Sequence, residues 1–166
     1  VDKRKLILHL HGPRGVGTVT SIDADARTVT LRCRFEPALP PRPAVDLLLA
    51  LPRPKVLRRL WAQLAAMGVG QIILTNAERV ERNYFDTHVL TPDYYRPLLV
   101  EGLQQARDTR LPGVSIHRRF KVLVEDDLDG LFGGGLRLVA DPVAARRASD
   151  VVRAPTDSRV LLAIGP

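Results

Sequence analysis

The spacing of apolar residues changes period along the chain and divides it in two. Over residues 5 to 11 the pattern alternates, with Leu6, Leu8 and Leu10 on one side and Ile7, His9 and His11 on the other, which predicts a half-buried strand. Gly12, Pro13, Gly15 and Gly17 interrupt it. Two more strands are predicted at 17–22 and 28–35, joined by a turn at Asp23-Ala24-Asp25-Ala26. In the second, Val29, Leu31, Cys33 and Phe35 share one face and Thr28, Thr30, Arg32 and Arg34 the other, so Cys33 is expected to point inward as a structural residue. Three antiparallel strands are marginal by themselves, so they are expected to form part of a small β-barrel whose other strands are not in this chain.

Glu36 to Pro43 carries four prolines and reads as a stiff linker, because proline cannot donate to a backbone ladder. Beyond it the pattern changes class. Asp46 to Leu51 is a continuous apolar run of strand length, Val56 to Met67 has helical spacing ending at Gly68, and Gln71 to Leu74 is another strand. Thr91-Pro92-Asp93 is a helix start, after which Tyr95, Leu98, Leu99, Gly102, Leu103 and Ala106 fall on one face. Strands are further predicted at 113–117, 136–140 and 159–164, with a helix over about 124–132. Strands that alternate with helices, several of them uniformly apolar, predict an α/β fold with a mostly parallel sheet covered on both faces.

Composition narrows the function. The 166 residues are 45% hydrophobic and 26% charged, which fits one or two globular modules and argues against a disordered or fibrous chain. No run approaches the roughly 20 apolar residues of a membrane span. With Cys33 alone, an internal disulfide or a Cys-rich zinc site is impossible, and a cytoplasmic location is expected. Lys and Arg number 25 against 18 Asp and Glu, a net charge of +7, and only four of the cations are Lys. Such a surplus suits phosphate and so nucleic acid, although an Arg-rich codon usage would give the same totals.

The cations are not spread evenly. Pro52-Arg53-Pro54-Lys55 lies at the carboxyl end of the first strand of the α/β part, where doubly wound sheets bind ligands. Lys55, Arg58 and Arg59 then share one helical face beside Arg53, while Leu57, Leu60 and Leu64 turn to the sheet. These four are the candidate phosphate contacts. Glu78 to Phe85 mixes Arg79 and Arg82 with acids and with Tyr84 and Phe85, a set that either stacks a base and holds its backbone or pairs within itself. The four histidines lack metal-site spacing and Cys33 has no evident His partner, so no metal ligand or catalytic residue is assigned. Glycine-rich dinucleotide and P-loop motifs are absent. Leu136 to Pro142 and Val160 to Pro166 are each an apolar strand ending in a small-residue turn, which lets backbone approach a ligand closely.

Taken in order, Leu49-Ala-Leu-Pro-Arg-Pro-Lys55, Arg79-Val-Glu-Arg82, Gly102-Leu-Gln-Gln-Ala-Arg-Asp-Thr109, Arg119-Phe-Lys121, Val124-Glu-Asp126 and Leu162-Ala-Ile-Gly-Pro166 resemble the 16S rRNA (uracil-N3) methyltransferases, the ribosomal RNA small subunit methyltransferase E family. The resemblance covers nearly the whole chain. It implies a PUA-like RNA-binding barrel, in part, over residues 1–42, and a SPOUT methyltransferase domain with a trefoil knot over 43–166. It further implies S-adenosylmethionine as cofactor, held by Val139, Ala140, Asp141, Pro142, Ala163, Ile164, Gly165 and Pro166, a homodimer, and 16S rRNA or the small ribosomal subunit as partner. By the same resemblance Arg79 and Arg82 meet RNA or the dimer partner. The family continues past Gly-Pro into the segment that completes the knot, so this chain is expected to be a fragment clipped at both ends and inactive alone. The contrasting expectation is a non-catalytic RNA-binding module without the knot.

Overall fold

A computed structural model of the chain describes residues 4–152 and 159–165. Strands β1 (Arg4–Leu8), β2 (Arg14–Asp23) and β3 (Thr28–Phe35) form an antiparallel sheet in that order. Asp23 closes the predicted turn by accepting the Ala26 N–H at 2.9 Å, and Arg27 takes the left-handed conformation, φ 50°. The β2–β3 register pairs Gly17 with Cys33 and shifts between Val19 and Ser21. The strands follow the alternation, but the expected interior does not form. Cys33 is exposed, as are Ile22 (71%) and Val29 (57%). Among the described residues no second layer packs on this sheet and every residue of β3 is exposed, so the expectation of an inward Cys33 is overturned.

This sheet is tied to the rest of the chain by hydrogen bonds rather than by a large apolar interface. His11 N–H donates to the Thr109 carbonyl (2.7 Å), and the buried Thr109 hydroxyl donates to the Gly12 carbonyl (2.6 Å). Arg110 donates twice to the carbonyl of buried Pro40, at 3.2 and 2.8 Å, and so pins the proline linker. A charged fork on one acceptor is a strong, directional tie.

Beyond the linker, β4 (Val45–Ala50), α1 (Pro54–Ala66), β5 (Val69–Thr75), α2 (Pro92–Ala106) and β6 (Gly113–His117) begin the α/β part. The chain then runs through α3 (Phe120–Val122), a π-helical stretch (Leu123–Asp127) and α4 (Leu128–Phe132). Strand β7 (Leu136–Ala140), α5 (Ala148–Val151) and β8 (Val160–Ile164) complete it. The five strands are all parallel, in the order β6-β5-β4-β8-β7. The last strand in sequence is therefore inserted beside the first. One face of the sheet, with Leu47, Ile72 and Leu74, is covered by Leu57, Trp61, Leu64 and Ala65 of α1 and Leu99 and Leu103 of α2. The other, with Leu48, Ile73 and Leu161, is covered by Leu123, Leu128 and Phe132. Among the described residues no helix is long and apolar enough to cross a membrane.

Three local departures from the sequence pattern have physical causes. The Thr91 hydroxyl donates back to the His88 carbonyl (2.8 Å) instead of capping α2. Ala106 is exposed because Arg107 already ends the helix in the left-handed region, φ 55°. The helix predicted from about 124 starts at Phe120, and its π turn has no signature in a 3.6-residue pattern.

Two close approaches set how the layers meet. Gly102 lies where α2 crosses α1, and a Cβ there would stand 2.1 Å from the Ala62 carbonyl oxygen and 3.0 Å from the Ala65 Cβ. Asp46, 1% exposed, sits on β4 against Arg159, which enters β8, and Arg159 also lies over the Phe132 ring at 5.4 Å. Burial raises the Asp46 carboxyl above the ordinary value, and Arg159 offsets only part of that.

Gly102→Ala is expected to lower stability by about 1–3 kcal/mol, since backbone overlap outweighs the roughly 0.5–1 kcal/mol that alanine adds to a helix. Urea unfolding checks this, and an unchanged midpoint would contradict the close crossing. A raised native carboxyl means the folded state binds the proton more tightly than the unfolded one, so Asp46 loses stabilising effect as pH rises from its unfolded value, about 3.9, through the native value. Melting temperatures of wild type and Asp46→Asn should therefore diverge as pH rises above about 4, the wild type losing ground.

Candidate functional site

Parallel pairing brings the carboxyl ends of all five strands to one edge, the side on which open α/β sheets bind ligands. There β7 and β8 lie in register, Val139 opposite Ala163 and Ala140 opposite Ile164. The two small-residue turns singled out in the sequence, though far apart along the chain, are thus neighbours. A cavity of about 900 Å³ opens between them, lined by Val139, Ala140, Asp141, Pro142, Ile164 and Gly165 and bounded by Arg146, Arg147 and Val151. Asp141 is occupied by its own turn, accepting the Val143 N–H on Oδ1 at 2.9 Å while its carbonyl accepts from Ala144 at 3.1 Å. What the turn leaves toward the cavity is chiefly backbone and apolar surface. Ala163 faces elsewhere, and Pro166 lies outside the described residues.

Sequence reasoning missed a second cavity of about 400 Å³ on the other side of the β7 and β8 ends. Its walls are mostly apolar, with Leu48, Leu161 and Ala163 from the sheet and Phe120, Val124 and Leu128 from the π-helical region, and Arg137 of β7 also lines it. At one end are Thr75, 2% exposed, and Asn76, and neither Thr75 Oγ1 nor Asn76 Oδ1 has a hydrogen-bond partner. The two cavities share Leu138, Val139, Ile164 and Gly165 as their common wall. Beside Thr75 on β6, His117 Nδ1 stands 3.3 Å from Asp127 Oδ2, while His117 Nε2 and Ser115 Oγ are likewise buried and unpartnered. No spacing in the sequence points to this pairing, because Asp127 reaches His117 only through the π turn.

The cationic residues fall where the pattern predicts. α1 begins after Arg53 and turns Leu57, Trp61 and Leu64 to the core, leaving Lys55, Arg58 and Arg59 exposed around a shallow cleft of about 280 Å³. Arg53 lies beside Tyr84, whose hydroxyl donates to Glu81 Oε1 at 2.9 Å; that hydrogen bond raises the phenol above its ordinary value, with Arg53 acting in the opposite sense. The segment after β5 therefore flanks the start of α1. Arg79 and Arg82 are exposed, and among the described residues none of Arg53, Lys55, Arg58, Arg59, Arg79 and Arg82 takes part in an ion pair. Within the segment Tyr84 pairs with Glu81, and its two arginines form no ion pair with its acids. Phe85, however, is buried beneath the Arg118 guanidinium, 5.4 Å from its ring, and offers no platform for a base.

This arrangement combines a cationic helix face with small-residue turns at one edge of the sheet. Residues 40–166 match the family model for the RNA methyltransferase domain. The chain belongs to that family. Ribosomal RNA small subunit methyltransferase E of Treponema pallidum is 33% identical over 72 residues, 43% of this chain and 27% of the relative. Ribosomal RNA small subunit methyltransferase E 1 of Borreliella burgdorferi is 30% identical over 74 residues, 45% of this chain and 31% of the relative. The expected resemblance is borne out. Among solved structures, the Neisseria gonorrhoeae ribosomal RNA small subunit methyltransferase E, crystallised with S-adenosyl methionine, superposes at TM-score 0.70 with 13% identity. A probable rRNA methyltransferase of Porphyromonas gingivalis superposes at 0.67 with 14% identity. Each alignment takes in 99% of this RNA methyltransferase chain, but only 65% and 67% of those structures. At these identities the likeness shows the fold.

Proposed function

We propose that this chain is the donor-binding and RNA-contacting part of an enzyme that methylates N3 of a uridine in 16S ribosomal RNA. The observation that carries the reading is the meeting of the 139–142 turn with Ile164 and Gly165 around one cavity in a chain of the RNA methyltransferase family. S-adenosylmethionine supplies a methyl group activated by its sulfonium. The residues fit such a donor: Gly165 has nothing within 4 Å of where a Cβ would stand, and Val139 and Ile164 supply apolar surface beside it. Arg146 and Arg147 at the rim are placed to meet a carboxylate.

N3 lies on the Watson–Crick edge, so the base has to be unpaired or turned out of a helix before it can react. Lys55, Arg58 and Arg59 serve that step by holding backbone phosphates, with Arg53, Arg79 and Arg82 extending the contact along the same edge of the sheet. In this reading the β1–β3 sheet belongs to a PUA-like RNA-binding unit over 1–42, and 43–166 to a SPOUT domain that works as a homodimer in the cytoplasm.

Deleting the coding sequence should remove N3-methyluridine from hydrolysed 16S rRNA, as read by nucleoside mass spectrometry. The wild-type gene should restore it and a Gly165→Trp gene should not; an unchanged modification level would sink the reading. Replacing both Arg58 and Arg59 with Ala should weaken rRNA binding and flatten the slope of log affinity against log salt by about 1.4, roughly 0.7 for each single-strand phosphate no longer neutralised. An unchanged slope would move the RNA contact off α1.

A further inference from the structure

A buried polar atom without a partner is costly, about 1–3 kcal/mol, and native structures rarely keep two side by side unless something else satisfies them. Thr75 Oγ1 and Asn76 Oδ1 are such a pair, on consecutive residues at the end of β5, at the polar end of the smaller cavity. Among the described residues no hydrogen bond holds the Asn76 carboxamide in one sense, so it can turn to present its NH₂ in place of Oδ1. Both residues line the same cavity and each can offer it a donor, the pair that a single carbonyl oxygen with two lone pairs accepts. The rest of the cavity suits the faces of a flat ring, with Leu48 and Leu161 on the sheet side and Val124 and Leu128 opposite. A π-helical turn supplies that opposite wall, a conformation found mostly at functional positions. Its volume, about 400 Å³, lies near the small end of ligand sites.

From this we infer that the smaller cavity seats the acceptor base itself, a uracil turned out of single-stranded RNA, with its O4 carbonyl held by Thr75 and Asn76. The inference rests on the methyltransferase reading and names where its substrate sits. Uracil carries a carbonyl at position 4 where cytosine carries an amino group, so two donors at this point select uracil. Donors on O4 also stabilise the negative charge that spreads onto that oxygen when N3 gives up its proton to water. The shared wall of Val139, Ile164 and Gly165 places the seat next to the larger cavity, and the cations of α1 lie on the same edge of the sheet to hold the flanking phosphates.

Saturation-transfer NMR of the 166-residue protein with millimolar uridine or cytidine tests this directly. Saturable transfer to the uracil protons is expected, with cytidine at least about fivefold weaker. Thr75→Val should reduce uridine affinity about threefold to tenfold, in keeping with removal of one hydrogen bond. The same substitution should raise the melting temperature of the ligand-free protein, because it removes an unpartnered buried hydroxyl; a purely structural threonine would lower it. Absence of uridine binding, equal binding of cytidine, or an affinity unmoved by Thr75→Val would each overturn the assignment. Loss of N3-methyluridine on gene deletion without uridine binding would reject this cavity while keeping the methyltransferase reading, and uridine binding with the modification intact would reject that reading instead.

Discussion

Asp46 is buried in the middle strand of the parallel sheet, and Arg159, 113 residues further along the chain, is the cation that offsets part of the cost of burying it. A carboxylate taken out of water without a partner would cost more than most single contacts can return, so β8 has to enter where Arg159 meets Asp46. That places Val160 opposite Val45 and Leu162 opposite Leu47, and the register runs on to bring Ile164 beside Ala140. The turn that ends β8 thereby arrives next to the one that ends β7. Phe132, lying under both Arg159 and Arg137, and Gln71, donating to the Leu131 carbonyl at 3.0 Å, fix the helical connection to the same frame.

Function then follows from direction. Parallel strands present all their carboxyl ends to one edge, so residues from separate loops converge without being close in sequence. The edge is divided by the shared wall of Leu138, Val139, Ile164 and Gly165 into a larger cavity rich in exposed backbone and a smaller apolar one with a polar end. The cations of α1 border the same edge, because the helix that follows β4 starts there. The two cavities and the cationic helix face are thus placed together by topology. The antiparallel β1–β3 sheet lies outside this frame, joined through Thr109 and Arg110 to Gly12 and Pro40 by hydrogen bonds that tolerate little sliding.

Local pattern in the sequence determined the kind and approximate limits of nearly every element: the alternation of β3, the apolar runs of β4 and β8, the amphipathic face of α1 with Leu57 and Leu64 inward and Arg58 and Arg59 outward, and the proline linker. These are legible because side-chain periodicity and proline chemistry act within a few residues. The ordered motifs also carried the family resemblance. The tertiary structure alone decided which strands become neighbours, that the apolar side of β3 with Cys33 stays open, that Phe85 is covered by Arg118, and that His117 meets Asp127 across a π turn. It alone brought Thr75 and Asn76 to a cavity walled by Val124, Leu128 and Leu161, all far along the chain from them. The reason is physical: burial and pairing of charges are summed over the whole chain, and a local pattern says which side of an element is apolar but not which distant surface will cover it.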